Sequence, residues 1–239
     1  MNTKLRVAGC LVMMLAAPAV FSQAQEQPNR FTIWDIHLGD TASAIPDEYI
    51  NYACGTNGGP PSLPLPNFAA FKKCKPEADG LREVYFEYDD EQEYVARALQ
   101  NRAGIMRYAG TTVFEFPIVA SLLFDDSGRV RGERMVTDPR QQVSRDRLEF
   151  WELGTFLRQK FGNDPWTCKD LPPDDGETPV GSRFMKNHCE KTVSGMHLIL
   201  EQRFFQKKGQ QFTDPASGKP KPQAFESATR FEMYDAALP

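Results

Sequence analysis

Four glutamates, Glu83, Glu87, Glu115 and Glu133, stand in segments where apolar and polar residues alternate, and a strand sends alternate side chains to one face. Two carboxyls brought into one cleft, one of them protonated, could hydrolyse a glycosidic bond as acid and base. Acids alternating with apolar residues are also the ordinary wet face of an antiparallel strand. The three histidines, His37, His188 and His197, show no ligand spacing such as His-Glu-x-x-His. His188 precedes Cys189, but a disulfide-bonded cysteine is no nucleophile, and neither Gly-x-Ser-x-Gly nor Ser-x-x-Lys occurs. The acidic cluster Asp89-Asp90-Glu91-Glu93 offers the hard oxygens calcium prefers. It lacks the alternating register that aims three carboxylates at one point, so it reads as a solvated turn or strand edge. Gly55-Thr56-Asn57-Gly58-Gly59 could approach a phosphate, yet no Gly-Lys-Ser/Thr follows, and a tethered surface loop is the better reading. The sequence therefore assigns no catalytic, cofactor-binding or metal-binding residues and implies no cofactor.

The cysteines carry the firmer signal. Lys4 and Arg6 precede an apolar run from Val7 to Phe21, and Ser22-Gln23-Ala24 offers small residues to a signal peptidase, so residues 1–24 read as a leader and Gln25 as the mature N-terminus. Val7-Ala8-Gly9-Cys10 resembles a lipobox, but a lipobox follows the apolar stretch and this one precedes it. Cys54, Cys74, Cys168 and Cys189 remain after cleavage, an even number that reads as two disulfides in the periplasm or outside the cell. Pairing Cys54 with Cys74 and Cys168 with Cys189 closes the shortest loops. Losing Lys4 and Arg6 leaves 26 cations against 32 acids, a net charge of −6 that argues against nucleic acid as a partner. No later stretch reaches the ~20 apolar residues of a membrane span.

The elements that must position these residues read as α+β, short helices packed on antiparallel sheet. Phe31–Leu38 is a first strand or docking segment, and Asp40-Thr41 opens a helix continued from Ala42 to Ala53. Residues 54–66 form a Gly/Pro loop, and Asn67 caps a helical turn. Strands follow at Leu81–Tyr88, Thr111–Phe124 and Arg129–Thr137, the last two joined by Asp125-Asp126-Ser127-Gly128. Beyond Asp138-Pro139 come a helix over Arg145–Phe161, a Pro/Gly/Asp loop over 162–183, a strand over Met196–Phe205, a polar connection to Gln223, and a strand over Phe225–Tyr234. This divides the chain into a first unit, 25–140, and a second, 141–239.

The two units share landmarks. Ile33-Trp34-Asp35-Ile36 matches Phe150-Trp151-Glu152-Leu153, and Val113-Phe114-Glu115-Phe116 matches Arg230-Phe231-Glu232-Met233, both at an offset of 117 residues. Cys54 and Cys168 lie 114 residues apart, Cys74 and Cys189 115, so a degenerate repeat would pair the cysteines within each unit. Leu38-Gly39-Asp40-Thr41 at the helix start, Phe124-Asp125-Asp126-Ser127-Gly128-Arg129-Val130 at the hairpin, and the cysteine pairs resemble the outer-membrane assembly lipoproteins of the SmpA/OmlA (BamE) kind. Taken as a tandem, the layout resembles the β-lactamase inhibitor proteins, which implies two units, each with a disulfide, presenting a concave sheet to a partner. The matches cover less than a fifth of the chain, and the loop after Cys54 lies outside the pattern.

Function then reads as non-catalytic binding of a protein partner in the cell envelope, with residues 55–66 and strand aromatics as the contact. The competing reading is a carboxylate-dependent hydrolase acting on an envelope polymer through the four glutamates.

Overall fold

A computed structural model describes residues 31–88, 91–104, 110–138, 150–162, 165–210 and 225–237, with the backbone alone for 91–94. The leader, Cys10 and the Ala24 cleavage site lie outside the described residues.

Strands dominate, which corrects the α+β expectation. One ten-stranded antiparallel sheet carries the main path β1-β2-β4-β5-β10-β9-β8-β6, with β3 paired to β4 and β7 to β9. The strands are β1 (Ile50–Cys54), β2 (Arg82–Glu87), β3 (Thr112–Val113), β4 (Phe116–Phe124) and β5 (Val130–Thr137) from the first part of the chain. From the second come β6 (Thr167–Asp170), β7 (Glu177–Thr178), β8 (Met185–Val193), β9 (Met196–Lys207) and β10 (Glu226–Asp235). The helices are short: α1 (Glu91–Ala98) and α2 (Leu153–Lys160), with 3-10 turns at Ile33–Asp35, Phe68–Lys73 and Phe150–Glu152.

The segment expected as a helix from Ala42 to Ala53 is instead a series of turns running into β1. Its apolar spacing is met by packing Ala42, Ile45 and Tyr49 onto the sheet one at a time, and no helix is needed to bury them. Phe31–Leu38 likewise docks through a 3-10 turn capped by Thr32 rather than as a strand. In β3–β4 the expected single strand is broken by Phe114 and Glu115, whose φ values of 49° and 68° make a tight reversal. Glu91 and Glu93 begin α1, while Asp89 and Asp90 lie outside the described residues.

One face of the sheet carries the core. Tyr49, Phe68, Phe71, Phe86 and Phe124 interlock there, with ring centroids 5.1 Å apart for Tyr49–Phe86, 5.2 Å for Phe68–Phe86 and 5.4 Å for Phe71–Phe124. Toward the second part of the chain α2 and Phe161 cover β10 and β9, and Phe161 stacks on Phe231 at 5.2 Å. Lys191, buried in β8, donates to the carbonyls of Phe161 and Gly162 at 2.9 and 3.1 Å and so satisfies the C-terminal end of α2.

Each disulfide lies within its own part of the chain. Cys54 at the end of β1 joins Cys74 after the Phe68–Lys73 turn, and Cys168 in β6 joins the residue directly opposite it in β8, Cys189. Among the described residues no helix is long and apolar enough to cross a membrane.

Candidate functional site

Two consecutive residues of β5, Glu133 and Arg134, organise the two faces of the sheet. Pairing places Glu133 opposite Leu122 on one side and Met233 on the other, all on the core face, while Arg134 lies opposite Ser121 and Glu232 on the outer face.

On the outer face Arg134 is almost fully buried and ion-paired with three carboxylates. It donates to both oxygens of Glu77 at 2.8 and 3.0 Å, lies 3.2 Å from Glu83, and donates through Nε to Glu232. Glu83 also accepts from the backbone N–H groups of Asn57 and Gly58, and Arg230 donates to Asn57 and Glu232. Burial alone would suppress ionisation of Glu77, but Arg134 outweighs it and holds the carboxyl below its usual range. The start of the Gly55–Pro66 loop is therefore pinned to the sheet. Glu83 acts here as a structural acceptor.

Glu87 is likewise occupied, accepting from Asn51 and Tyr85, and Glu115 sits in the β3–β4 turn. The structure does not bring Glu83, Glu87, Glu115 and Glu133 together. The strand aromatics Tyr85, Phe86, Tyr88 and Phe124 are buried, so they form no exposed contact face.

The core face holds a different arrangement. A cavity of about 510 Å³ opens between the N-terminal segment, the end of α2 and the sheet, and Glu133 is part of its lining. Its walls are Trp34, Ile36, Leu38, Phe161, Met196 and Met233, with His37, Lys160, Ser194, Gly195 and Asp235 completing the lining. This volume lies within the ~300–1,000 Å³ range of ligand pockets, and an apolar lining with few polar groups is their usual composition.

Each wall has a local cause. The Thr32 cap and the reciprocal Asp35 contact fix the turn that presents Trp34. Ser194 and Gly195, with φ of 51° and 77°, form the two-residue turn that reverses β8 into β9 and brings Met196 to the cavity. Lys160, at the end of α2, lies with Nζ 4.2 Å from the centre of the Trp34 ring.

Glu133 is fully buried, and neither carboxyl oxygen has a hydrogen-bond partner among the described residues. Burial pushes its pKa well above the usual carboxylate range; Lys160 opposes that rise and Asp40 adds to it. Both carboxyl oxygens are closed off from solvent, so Glu133 contributes to the cavity's wall without opening its carboxyl into the space. The second carboxyl of the lining, Asp235, is ion-paired with Arg131 at 3.1 Å.

Strand pairing also gathers side chains that spacing along the chain kept apart. His188 contacts Glu190 at 2.8 Å and Glu201 at 3.3 Å, and His197 lies 3.9 Å from Glu190 on the same outer face. Hydrogen bonding to Glu190, followed by that to Glu201, raises the His188 pKa despite partial desolvation. Among the described residues no group of three or more His, Cys, Asp or Glu is arranged to hold a metal ion. The outer face also bears a larger cavity of about 730 Å³ near Asp79, Leu81, His197 and Tyr234.

The sequence reading included Glu133 among four strand glutamates but did not single it out, and it missed Trp34, Lys160, Met196 and Asp235. No family model matches the chain, nor does any curated protein or solved structure.

Proposed function

We propose that the chain is an exported, disulfide-stapled binding protein of the cell envelope that holds a partner molecule in the Glu133 cavity without transforming it. The observation that carries this reading is the cavity of about 510 Å³ walled by Trp34, Ile36, Leu38, Phe161, Met196 and Met233, a volume and an apolar lining of the kind that hold small ligands. The leader sequence and the two disulfides support an oxidising compartment, periplasmic or secreted. Four strands from each part of the chain meet edge to edge at β5–β10, which supports the tandem-unit reading and its likeness to the β-lactamase inhibitor proteins.

The test is native mass spectrometry of the protein recovered from its own envelope fraction. Wild type should carry a bound molecule, and Met196→Trp, which fills the cavity with an indole, should not. Wild type recovered free, or a Met196→Trp variant loaded to the same extent, would overturn the reading.

A further inference from the structure

The polar groups around the 510 Å³ cavity are not balanced. Asp235 is answered by Arg131 at 3.1 Å, His37 faces Asp40 at 3.8 Å, and the Glu133 carboxyl is sealed from the space. Lys160 is the exception. It is exposed on the lining, its ammonium is held over the Trp34 ring, and it makes no ion pair among the described residues. It acts on Glu133 only through space. The Trp34 indole N–H and the Ser194 hydroxyl, also on the lining, have no hydrogen-bond partner among the described residues either. The open groups are therefore an unmatched cation and two further donors, set against apolar walls.

We propose that the cavity binds a free single-chain amphiphile with an anionic head, of the fatty-acid class. Its carboxylate pairs with the Lys160 ammonium at the Trp34 edge, and its chain lies among Phe161, Met196 and Met233. Positioned by the indole face, the ammonium meets the head while the chain leaves water. This deepens the binding reading above and rests on it only for biological role, because the selectivity is measurable on the purified protein.

Calorimetry on the full mature chain at neutral pH and low salt compares three ten-carbon probes: decanoate, 1-decanol and decylammonium. Decanoate should bind about fivefold tighter than decanol, the factor that corresponds to an exposed ion pair worth ~1 kcal/mol. Decylammonium should bind more weakly than decanol. Lys160→Met keeps the unbranched apolar stem without the charge and should bind decanoate no tighter than decanol, whereas Lys160→Arg should keep the preference. Molar salt should narrow the gap between decanoate and decanol in wild type. Met196→Trp should lose both, which places the binding in this cavity.

Equal binding of decanoate and decanol by wild type, a decanoate preference that survives Lys160→Met, tighter binding of decylammonium, or binding of no probe would overturn the proposal. So would Lys160-dependent sedimentation with phosphatidylglycerol vesicles in place of decanoate binding, since the cation would then serve a membrane surface. Wild type that leaves the envelope loaded yet shows no decanoate preference would sink the anionic selectivity and leave the binding reading standing. Decanoate preference in a protein that leaves the envelope empty would do the reverse.

Discussion

Glu133 and Arg134 are consecutive in β5, and pleating sends them to opposite faces of one sheet, where Arg134 meets three carboxylates and Glu133 meets none of them. The outer-face residue spends every strong donor on protein groups and locks the Gly55–Pro66 loop and the segment around Glu77 to the strands. The core-face residue retains its hydrogen-bonding capacity. A fully engaged charge and an unpartnered carboxyl thus occupy neighbouring positions of the same strand.

Replacing Arg134 should be severe. Arg134→Met leaves Glu77, Glu83 and Glu232 without their shared cation, and breaking a buried pair from one side costs about 3–5 kcal/mol. Arg134→Lys should recover only part of that loss, because an ammonium cannot make the two parallel bonds now made to Glu77. Urea denaturation at pH 7 measures both, and an Arg134→Met midpoint equal to wild type would refute the network's role.

Glu133 should make stability fall as the pH rises. Its folded pKa lies above its unfolded value, so the native state binds more protons than the unfolded state between the two. The contribution is fully present below the ordinary glutamate pKa of about 4.3 and declines as pH climbs toward the raised native value. Thermal melts from pH 5 to 8 should show wild type losing stability relative to Glu133→Gln. Parallel melting curves across that range would show that the carboxyl is not buried as described.

The sequence revealed the covalent frame and the most regular strands, but not what lies between them. Alternation of apolar with polar residue types at Val84, Phe86 and Tyr88 marked β2, although both of its sides are buried, and the run from Met196 marked β9, which alternates buried with partly exposed residues. β6 escaped notice because all four of its residues are exposed and it lies in a Pro/Gly/Asp-rich stretch. The offset of 117 pairs the 3-10 turns at Ile33–Asp35 and Phe150–Glu152, but it also aligns the β3 turn with β10, whose counterpart in the strand order is β5. Glu133 was hidden by a bulge. Phe124 pairs with Val130 and Leu123 with Gly132, so one extra residue reverses the facing of everything beyond it. Simple alternation from Val130 sends Glu133 outward and Arg134 inward, the inverse of what the strand does.

Gly58 should tolerate no side chain. Its φ of +75° disfavours L residues, and an added Cβ would stand 2.4 Å from Cγ2 of Val136. Gly58→Ala should therefore destabilise by roughly 1–3 kcal/mol and free the loop from Glu83. Limited proteolysis should then cut between residues 55 and 66 sooner than in wild type, and unchanged cleavage would show that the loop is not held through this contact.

The two disulfides should differ in accessibility and in consequence. Cys54 and Cys74 are both buried beside Phe68 and Phe71, whereas Cys168 is exposed on the edge strand β6 and only its partner Cys189 is buried. Attack by a thiolate needs access to one sulfur, so graded reduction followed by alkylation and peptide mapping should label Cys168 before Cys54 or Cys74. The closed segments are nearly equal, at separations of 20 and 21 residues, so loop entropy alone assigns each bond about 3 kcal/mol. What distinguishes them is the structure each one ties down. Cys54–Cys74 anchors the turn carrying Phe68 and Phe71 into the main aromatic cluster, so replacing both cysteines with alanine should lower the global urea midpoint. Cys168–Cys189 fastens an edge strand with four exposed residues, so its removal should speed amide exchange in β6 well before it moves the global transition. Equal loss of global stability from the two double replacements would mean that β6 belongs to the cooperative core.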